Sequence, residues 1–276
     1  MKKILVPIDF SDNAKAAFLY AMQLANQLNW TVSAVHVYHP TTIYVNEWMT
    51  ISEDGMIKFL EERLSSFVQE NVGNLSERME LPSVEQEVNI GFPAEKLVEM
   101  SKTDEVDLIV MGTTGASGLL EKIFGKISSH VSQEADCPVL LIPTAAQFRP
   151  IQNIMYASEY DSANEDTLFQ MSTYSNLLNA NIYMVHVHNN ESEAAEKLGY
   201  ALLEKVFEEK SPWLKFKMAS IKSDSVAHGL EQYAKENDID WMVLVKPHLR
   251  FWEKLTRKSH TNEIIMNPQI PLMVMH

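Results

Sequence analysis

The residue type whose placement points most directly to chemistry is glycine. The 276-residue chain has nine, and four of them, Gly112, Gly115, Gly118 and Gly125, fall between positions 112 and 125. The segment reads Gly112-Thr113-Thr114-Gly115, nine residues, then Gly125, with a helical pattern beginning near Ser128. Glycine lets the main chain come close to a bound group, and amides at a helix start donate to anionic oxygens. The spacing predicts a phosphate cradle between a strand end and a helix start. The plainer alternative is a turn that tolerates glycine.

Other groups are weaker candidates. His186 and His188 would point to one face of a strand, as half a metal site would. His36 matches His186 in a repeat described below, where position 38 is Tyr38, so a structural role is preferred and no metal is expected. Cys137 is the single cysteine; it allows no intrachain disulfide or multi-cysteine zinc site and fits a reducing cytoplasm. Before Pro138 it reads as a packed thiol. Lys246, Arg250, Lys254, Arg257 and Lys258 cluster against one acid, Glu253. They read as a solvated face or as a contact for an acidic partner or anion.

The elements that must position the loop follow from patterning. Ile4–Ile8 is an apolar, β-branched run, as in a strand buried on both faces. Ser11 or Asp12 is placed to cap a helix carrying Ala17, Ala21, Leu24, Ala25 and Leu28. Trp30–Val37 reads as a second strand. Residues 51–70 read as a helix with Met56, Leu60, Leu64 and Phe67 on one side. Val84–Ile90 reads as a strand, Pro93 opens a helix, and Leu108–Met111 is a short buried strand. Ser128–Ala135 reads as helix and Val139–Ile142 as the last strand. Alternating strands and helices imply a parallel sheet covered on both faces. Ligands of such sheets sit at the carboxyl ends of strands, which directs attention to Pro7–Asp9 and Met111–Gly115.

The chain repeats itself. Lys3–Phe10 aligns with Asn153–Tyr160, and Ala34–Val37 with Met184–Val187, at an offset of 150 residues. Asp107–Met111 aligns with Asp240–Leu244, and Cys137–Ile142 with Ile270–Met275, at an offset of 133. The first copy thus holds 17 extra residues between its second strand and the Asp107 strand. Two tandem α/β domains are expected, residues 1–146 and 150–276, joined by a tight link ending at Pro150. Each is a five-stranded parallel sheet, Rossmann-like in architecture. In the second copy Ser162-Ala163-Asn164-Glu165 has capping-box spacing. There, Val245, His248 and Lys258 replace Gly112, Gly115 and Gly125, so that copy has lost the loop. The last strands, Val139–Ile142 and Leu272–Met275, are apolar throughout. An unpaired edge invites pairing, so the domains are expected to join as a pseudo-dimer.

The formal charge of −14 repels phosphate backbones and anionic lipid, which argues against nucleic-acid and membrane partners. No apolar run approaches the roughly 18 residues of a membrane span.

The glycine loop, the opening Val6-Pro7-Ile8-Asp9 and the closing Cys137-Pro138-Val139-Leu140-Leu141 resemble the universal stress protein family. That family carries G-x-x-G, nine residues, then G-[S/T]. The resemblance covers both halves and implies a tandem member, a cytoplasmic stress-response regulator that binds ATP or AMP, with or without Mg. It implies a nucleotide site at Pro7, Ile8, Asp9, Val37, Met111, Gly112, Thr114, Gly115, Gly125, Lys126, Ile127 and Ser128. Asp9 would meet ribose hydroxyls, and Val37 would offer main-chain groups to adenine. Single-domain members commonly associate through the last strand, so a homodimer is also open. One departure matters: Lys126 stands where the family has Ser or Thr. It either neutralises a phosphate or blocks the pocket; Ser128 and Ser129 lie nearby in another register. The alternative function is a protein-interaction module without nucleotide, its partner unknown. A weak ATP hydrolase ranks third, since there is no G-x-x-x-x-G-K-[S/T] loop and no carboxylate cluster.

Overall fold

The first strand sets up everything that follows it. In the computed structural model, which describes residues 2–40, 53–76, 81–103, 105–113, 125–157, 165–188, 216–245 and 270–275, β1 (Lys3–Pro7) has Ile4, Leu5 and Val6 completely buried. The chain divides into two units, Met1–Phe148 and Arg149–His276.

In the first unit, Ser11 caps α1 (Asp12–Leu28), its hydroxyl accepting from the Ala14 amide at 3.2 Å. Ala14, Ala17, Ala21 and Ala25 line the buried side of α1 beside Phe18, Met22 and Leu24. Small residues let the helix lie close on the sheet. The helix ends at Asn29, which takes the left-handed conformation at φ 55° while Trp30 N donates back to Ala25 O. Then come β2 (Thr31–Tyr38), α2 (Glu53–Ser76), β3 (Val84–Ile90), α3 (Pro93–Ser101), β4 (Leu108–Gly112), α4 (Lys126–Glu134) and β5 (Val139–Ile142). All pairings are parallel, in the order β3-β2-β1-β4-β5. Ile4 stands opposite Leu108 and Leu5 opposite Ile109. The sequence leaves β1 for β2 and returns on its other side at β4. This reversal opens a crevice at the carboxyl ends of β1 and β4. The edge strand β3 exposes Glu85 and Glu87, charges that discourage pairing with a further strand.

The second unit follows the same plan: β6 (Asn153–Ala157), α5 (Glu165–Leu178), β7 (Asn181–His188), β8 (Phe216–Lys222), α6 (Val226–Glu236), β9 (Trp241–Val245) and β10 (Leu272–Met275). Its order is β10-β9-β6-β7-β8, again parallel. Ser225 caps α6 through the His228 amide.

Several expected boundaries move. The helix expected over 51–70 runs to Ser76, with Val68 and Asn71 continuing the buried side of Leu60 and Leu64. The extra residues of the first copy lie between its second and third strands: 45 separate Tyr38 from Val84, whereas 27 separate His188 from Phe216, and the next connection is one residue shorter in the first copy, 16 from Ile90 to Asp107 against 17 from Lys222 to Asp240. The helix expected from Ser128 to Ala135 begins at Lys126 and ends at Glu134. Gly125 is therefore its cap and Lys126 its first residue. The capping box at Ser162–Glu165 begins outside the described residues.

Candidate functional site

Three strand ends and two helix starts of the first unit meet at the crevice. From β1 come half-buried Pro7, buried Ile8 and exposed Asp9. The Ile8 amide donates to Val35 O at 2.8 Å, continuing the β1–β2 ladder past the strand end. Asp9 Oδ1 accepts from the Ser11 amide at 3.0 Å and from the Ser11 hydroxyl. Asp9 is thus tied to the cap of α1. Val37, half-buried, sits near the end of β2 opposite Asn89 of β3.

From β4 come buried Met111 and then Gly112. A Cβ on Gly112 would stand 3.0 Å from both the Cβ and the carbonyl oxygen of Asn13. This glycine is needed because the first turn of α1 crosses the end of β4 at that point. Its close approach is to protein backbone, a role distinct from the expected cradle. Thr144, just past β5, donates its hydroxyl to Asn13 Oδ1. Asn13 therefore joins the ends of β4 and β5 to α1. The sequence carries a sign of this only in the smallness of position 112.

The loop leaving β4 is closed at its base. Gly125 N donates to Thr113 O at 2.7 Å, and buried Ser128 donates its hydroxyl to the same carbonyl at 2.8 Å. The Thr113 amide in turn donates to Ile142 O at 3.2 Å. The Ser128 proton is thus used in holding the loop. Thr114, Gly115 and Gly118 lie outside the described residues.

The start of α4 differs electrostatically from the other helix starts of the first unit. Gly125 offers no capping side chain, the first turn holds no acid, and Lys126 and Ile127 are exposed there. The first turns of α1, α2 and α3 hold Asp12, Glu53 with Asp54, and Glu95. A helix start carries partial positive charge that acids offset and a lysine augments.

The remaining candidates behave as packing groups or lie elsewhere. Cys137 is buried, and desolvation pushes its thiol up to about 12, so it does not supply a nucleophile near neutrality. The rings of His186 and His188 lie parallel with centroids 6.3 Å apart. No group of three metal-ligating side chains occurs among the described residues. His36 Nδ1 lies 2.7 Å from Ile8 O, so that nitrogen carries the proton and donates. In the second unit buried Val245 ends β9 where Gly112 ends β4. His248, Lys258 and the basic cluster from Lys246 to Lys258 lie outside the described residues. No described helix is long and apolar enough to cross a membrane.

The class is therefore a tandem pair of doubly wound α/β units, the first with a crevice at its topological switch point. The family model described as the universal stress protein family matches residues 1–143. A universal stress protein of Methanocaldococcus jannaschii is 32% identical over 143 residues, covering 51% of this chain and 81% of that one. One from Thermus aquaticus is 33% identical over 144 residues, covering 51% and 98%. A crystal structure of a universal stress protein from Archaeoglobus fulgidus superposes with a TM-score of 0.67 at 14% identity, covering 99% of this chain and 97% of that one. The chain belongs to the universal stress protein family, and the likeness of fold runs through both of its units.

Proposed function

We propose that the first unit binds an adenine nucleotide, ATP or AMP, at the carboxyl end of its sheet, and that the chain acts as a cytoplasmic stress-response regulator and not as a catalyst. The observation that carries this reading is the start of α4. An uncapped helix start without an acid, bearing Lys126, concentrates positive charge at a point where β4 and Gly125 have been drawn together. Phosphate oxygens would satisfy the first amides of α4 and offset that charge. Lys126, being exposed, reaches the phosphate as a point charge. Asp9 takes the ribose hydroxyls, Val37 presents its main chain to the base, and Pro7, Ile8 and Met111 line the apolar floor. The family resemblance adds Thr114 and Gly115 to the site, with Ile127 giving an amide and Ser128 holding Thr113 and Gly125 together.

The competing reading is an interaction module without nucleotide. It is favoured by Lys126 standing where the family has Ser or Thr, while the hydroxyl of nearby Ser128 is already engaged by the carbonyls of Thr113 and Gly125. Calorimetric titration of the full chain with ATP, AMP and adenosine, with and without Mg, separates the two. The nucleotide reading expects saturable binding, with Lys126→Ala weakening ATP more than adenosine. No binding by any of the three supports the interaction module. A large gain of affinity in Lys126→Ser would show that the lysine obstructs the site.

A further inference from the structure

Phe10 follows Asp9 directly and lies in the left-handed region at φ 63°. A side chain with a Cβ is disfavoured there. Glycine would occupy the position without that cost, so the ring must be kept for what it touches. Three side chains from two elements hold it. His36 of β2 lies with its ring centroid 4.7 Å away, and Phe67 of α2 meets it edge-on at 5.9 Å. The guanidinium of Arg63, also on α2, sits over its face at 4.0 Å. Phe67 in turn packs against Phe18 of α1 at 5.8 Å.

Asp9 is held from both sides by this arrangement. Before it, the Ile8 carbonyl accepts from His36 Nδ1. After it, Phe10 is gripped by α2, and Ser11 donates its amide and hydroxyl to Asp9 Oδ1 while capping α1. Backbone strain persists only where surrounding contacts over-determine it, and such places cluster at functional sites. Here the strained residue adjoins the acid assigned to the ribose. Two of the three groups that hold it belong to α2, within the connection that is longer in the first unit than in the second.

We infer that Arg63 is a positioning residue, acting through the Phe10 ring to hold the Asp9 carboxylate in place for the ribose of the bound nucleotide. This rests on the nucleotide reading above, and it adds that the β2–β3 connection acts on the site through one cation–ring contact. Arg63 itself need touch no ligand.

Two readouts on the full chain test it. The first needs no ligand: amide hydrogen exchange at Ser11, whose N–H donates to Asp9, followed by NMR. Arg63→Ala should speed that exchange about threefold, the scale of an exposed cation–π contact, and Arg63→Lys should largely restore it. Exchange at Ala17, deeper in α1, should stay unchanged, which separates loosening of the turn from general destabilisation. The second readout is a cycle with adenosine, which lacks phosphate and so bypasses Lys126. Arg63→Ala should weaken adenosine about threefold in the wild-type background and have no effect in Asp9→Asn, since coupled residues are not additive. Unchanged Ser11 exchange in Arg63→Ala, or losses that simply multiply across the cycle, would overturn the role given to Arg63. A wild-type chain that binds no adenine compound, yet responds at Ser11, would instead remove the nucleotide and leave the grip on Asp9 established.

Discussion

Asp107 stands one residue before β4, and Asp240 stands one residue before β9. Asp107 accepts from the Lys3 amide at 2.9 Å; Asp240 accepts from the Gln152 and Asn153 amides at 2.8 Å each. The backbone repeats the tie, Asp107 N donating to Lys3 O and Asp240 N to Asn153 O. Asn29 and Asn179 close α1 and α5 in the same left-handed conformation, with Trp30 and Ala180 donating back to residues 25 and 175. At the carboxyl ends the units part. Gly112 ends β4, and Val245 ends β9. The amino ends hold the sheet together and have been kept in both copies. The carboxyl ends hold the candidate chemistry, and there the second copy has put a buried branched side chain where the first has room only for hydrogen.

Substitutions at the shared end break the frame. Asp240→Ala should have the largest effect on stability. Its side chain is 4% exposed, and its loss strands the Gln152 and Asn153 amides and removes the ion pair with Arg149, whose guanidinium keeps the carbonyls of Asp238 and Ile239. A cost of about 3 kcal/mol is expected in urea unfolding. Asp107→Ala, at a side chain 26% exposed, should cost about 1 kcal/mol. Equal costs would mean that burial does not decide what each tie contributes.

Gly112→Val makes the first unit imitate the second. The new Cβ meets the Asn13 backbone, which cannot yield as a flexible side chain would. Overpacking of about 1–3 kcal/mol is expected, together with loss of nucleotide binding as the first turn of α1 is pushed from β4. Wild-type stability and affinity in this variant would contradict the close crossing. The reciprocal change, Val245→Gly, should lower stability by about 2 kcal/mol and create no second nucleotide site.

Lys126→Ala should leave unfolding within about 0.5 kcal/mol of wild type, as an exposed residue, while lowering ATP affinity several-fold. Lys126→Glu should raise stability by a few tenths of a kcal/mol, because an acid suits a helix start, and weaken ATP further. A Lys126→Glu variant that binds ATP as well as wild type would separate α4 from the phosphate.

Cys137 has no effect near neutrality and acts only at high pH. Its thiol is held neutral in the fold up to about pH 12, against an ordinary value of 9.0, by desolvation. The unfolded chain therefore loses this proton first as pH rises. The stability contributed by the neutral buried thiol is complete below pH 9 and is lost progressively between about 9 and 12. Replacing Cys137 with alanine should flatten that part of the stability profile. In the wild type, thiol reagents at pH 8 should react at the rate of unfolding.

Much of the frame was legible because burial on both faces writes itself as apolar runs. Ile4–Val6, Leu108–Met111 and Val139–Ile142 lie in strands close to where the pattern placed them. The start of α4 was misplaced by two residues. Lys126 and Ile127 are exposed, so no apolar periodicity marks the first turn, and only the Gly125 carbonyl accepting from Ser129 N defines it. The candidate site was legible in its glycines but not in its supports. Asn13, Arg63 and Phe67 act through contacts between elements far apart in the chain. Nothing local distinguishes Arg63 from any solvated helix cation, and the left-handed turn at Phe10 gives no sign in a residue type that rarely adopts it. Gly112 shows the reverse limit: its smallness was visible, but whether hydrogen was needed for a ligand or for Asn13 depended on where α1 crosses.

The central claim is that one unit has kept the chemistry and the other only the frame. Calorimetric titration of the full chain with ATP measures this directly through its stoichiometry. One nucleotide per chain is expected, abolished by Gly112→Val and unaffected by Val245→Ala. Two per chain, or binding that survives Gly112→Val and disappears with Val245→Ala, would contradict it.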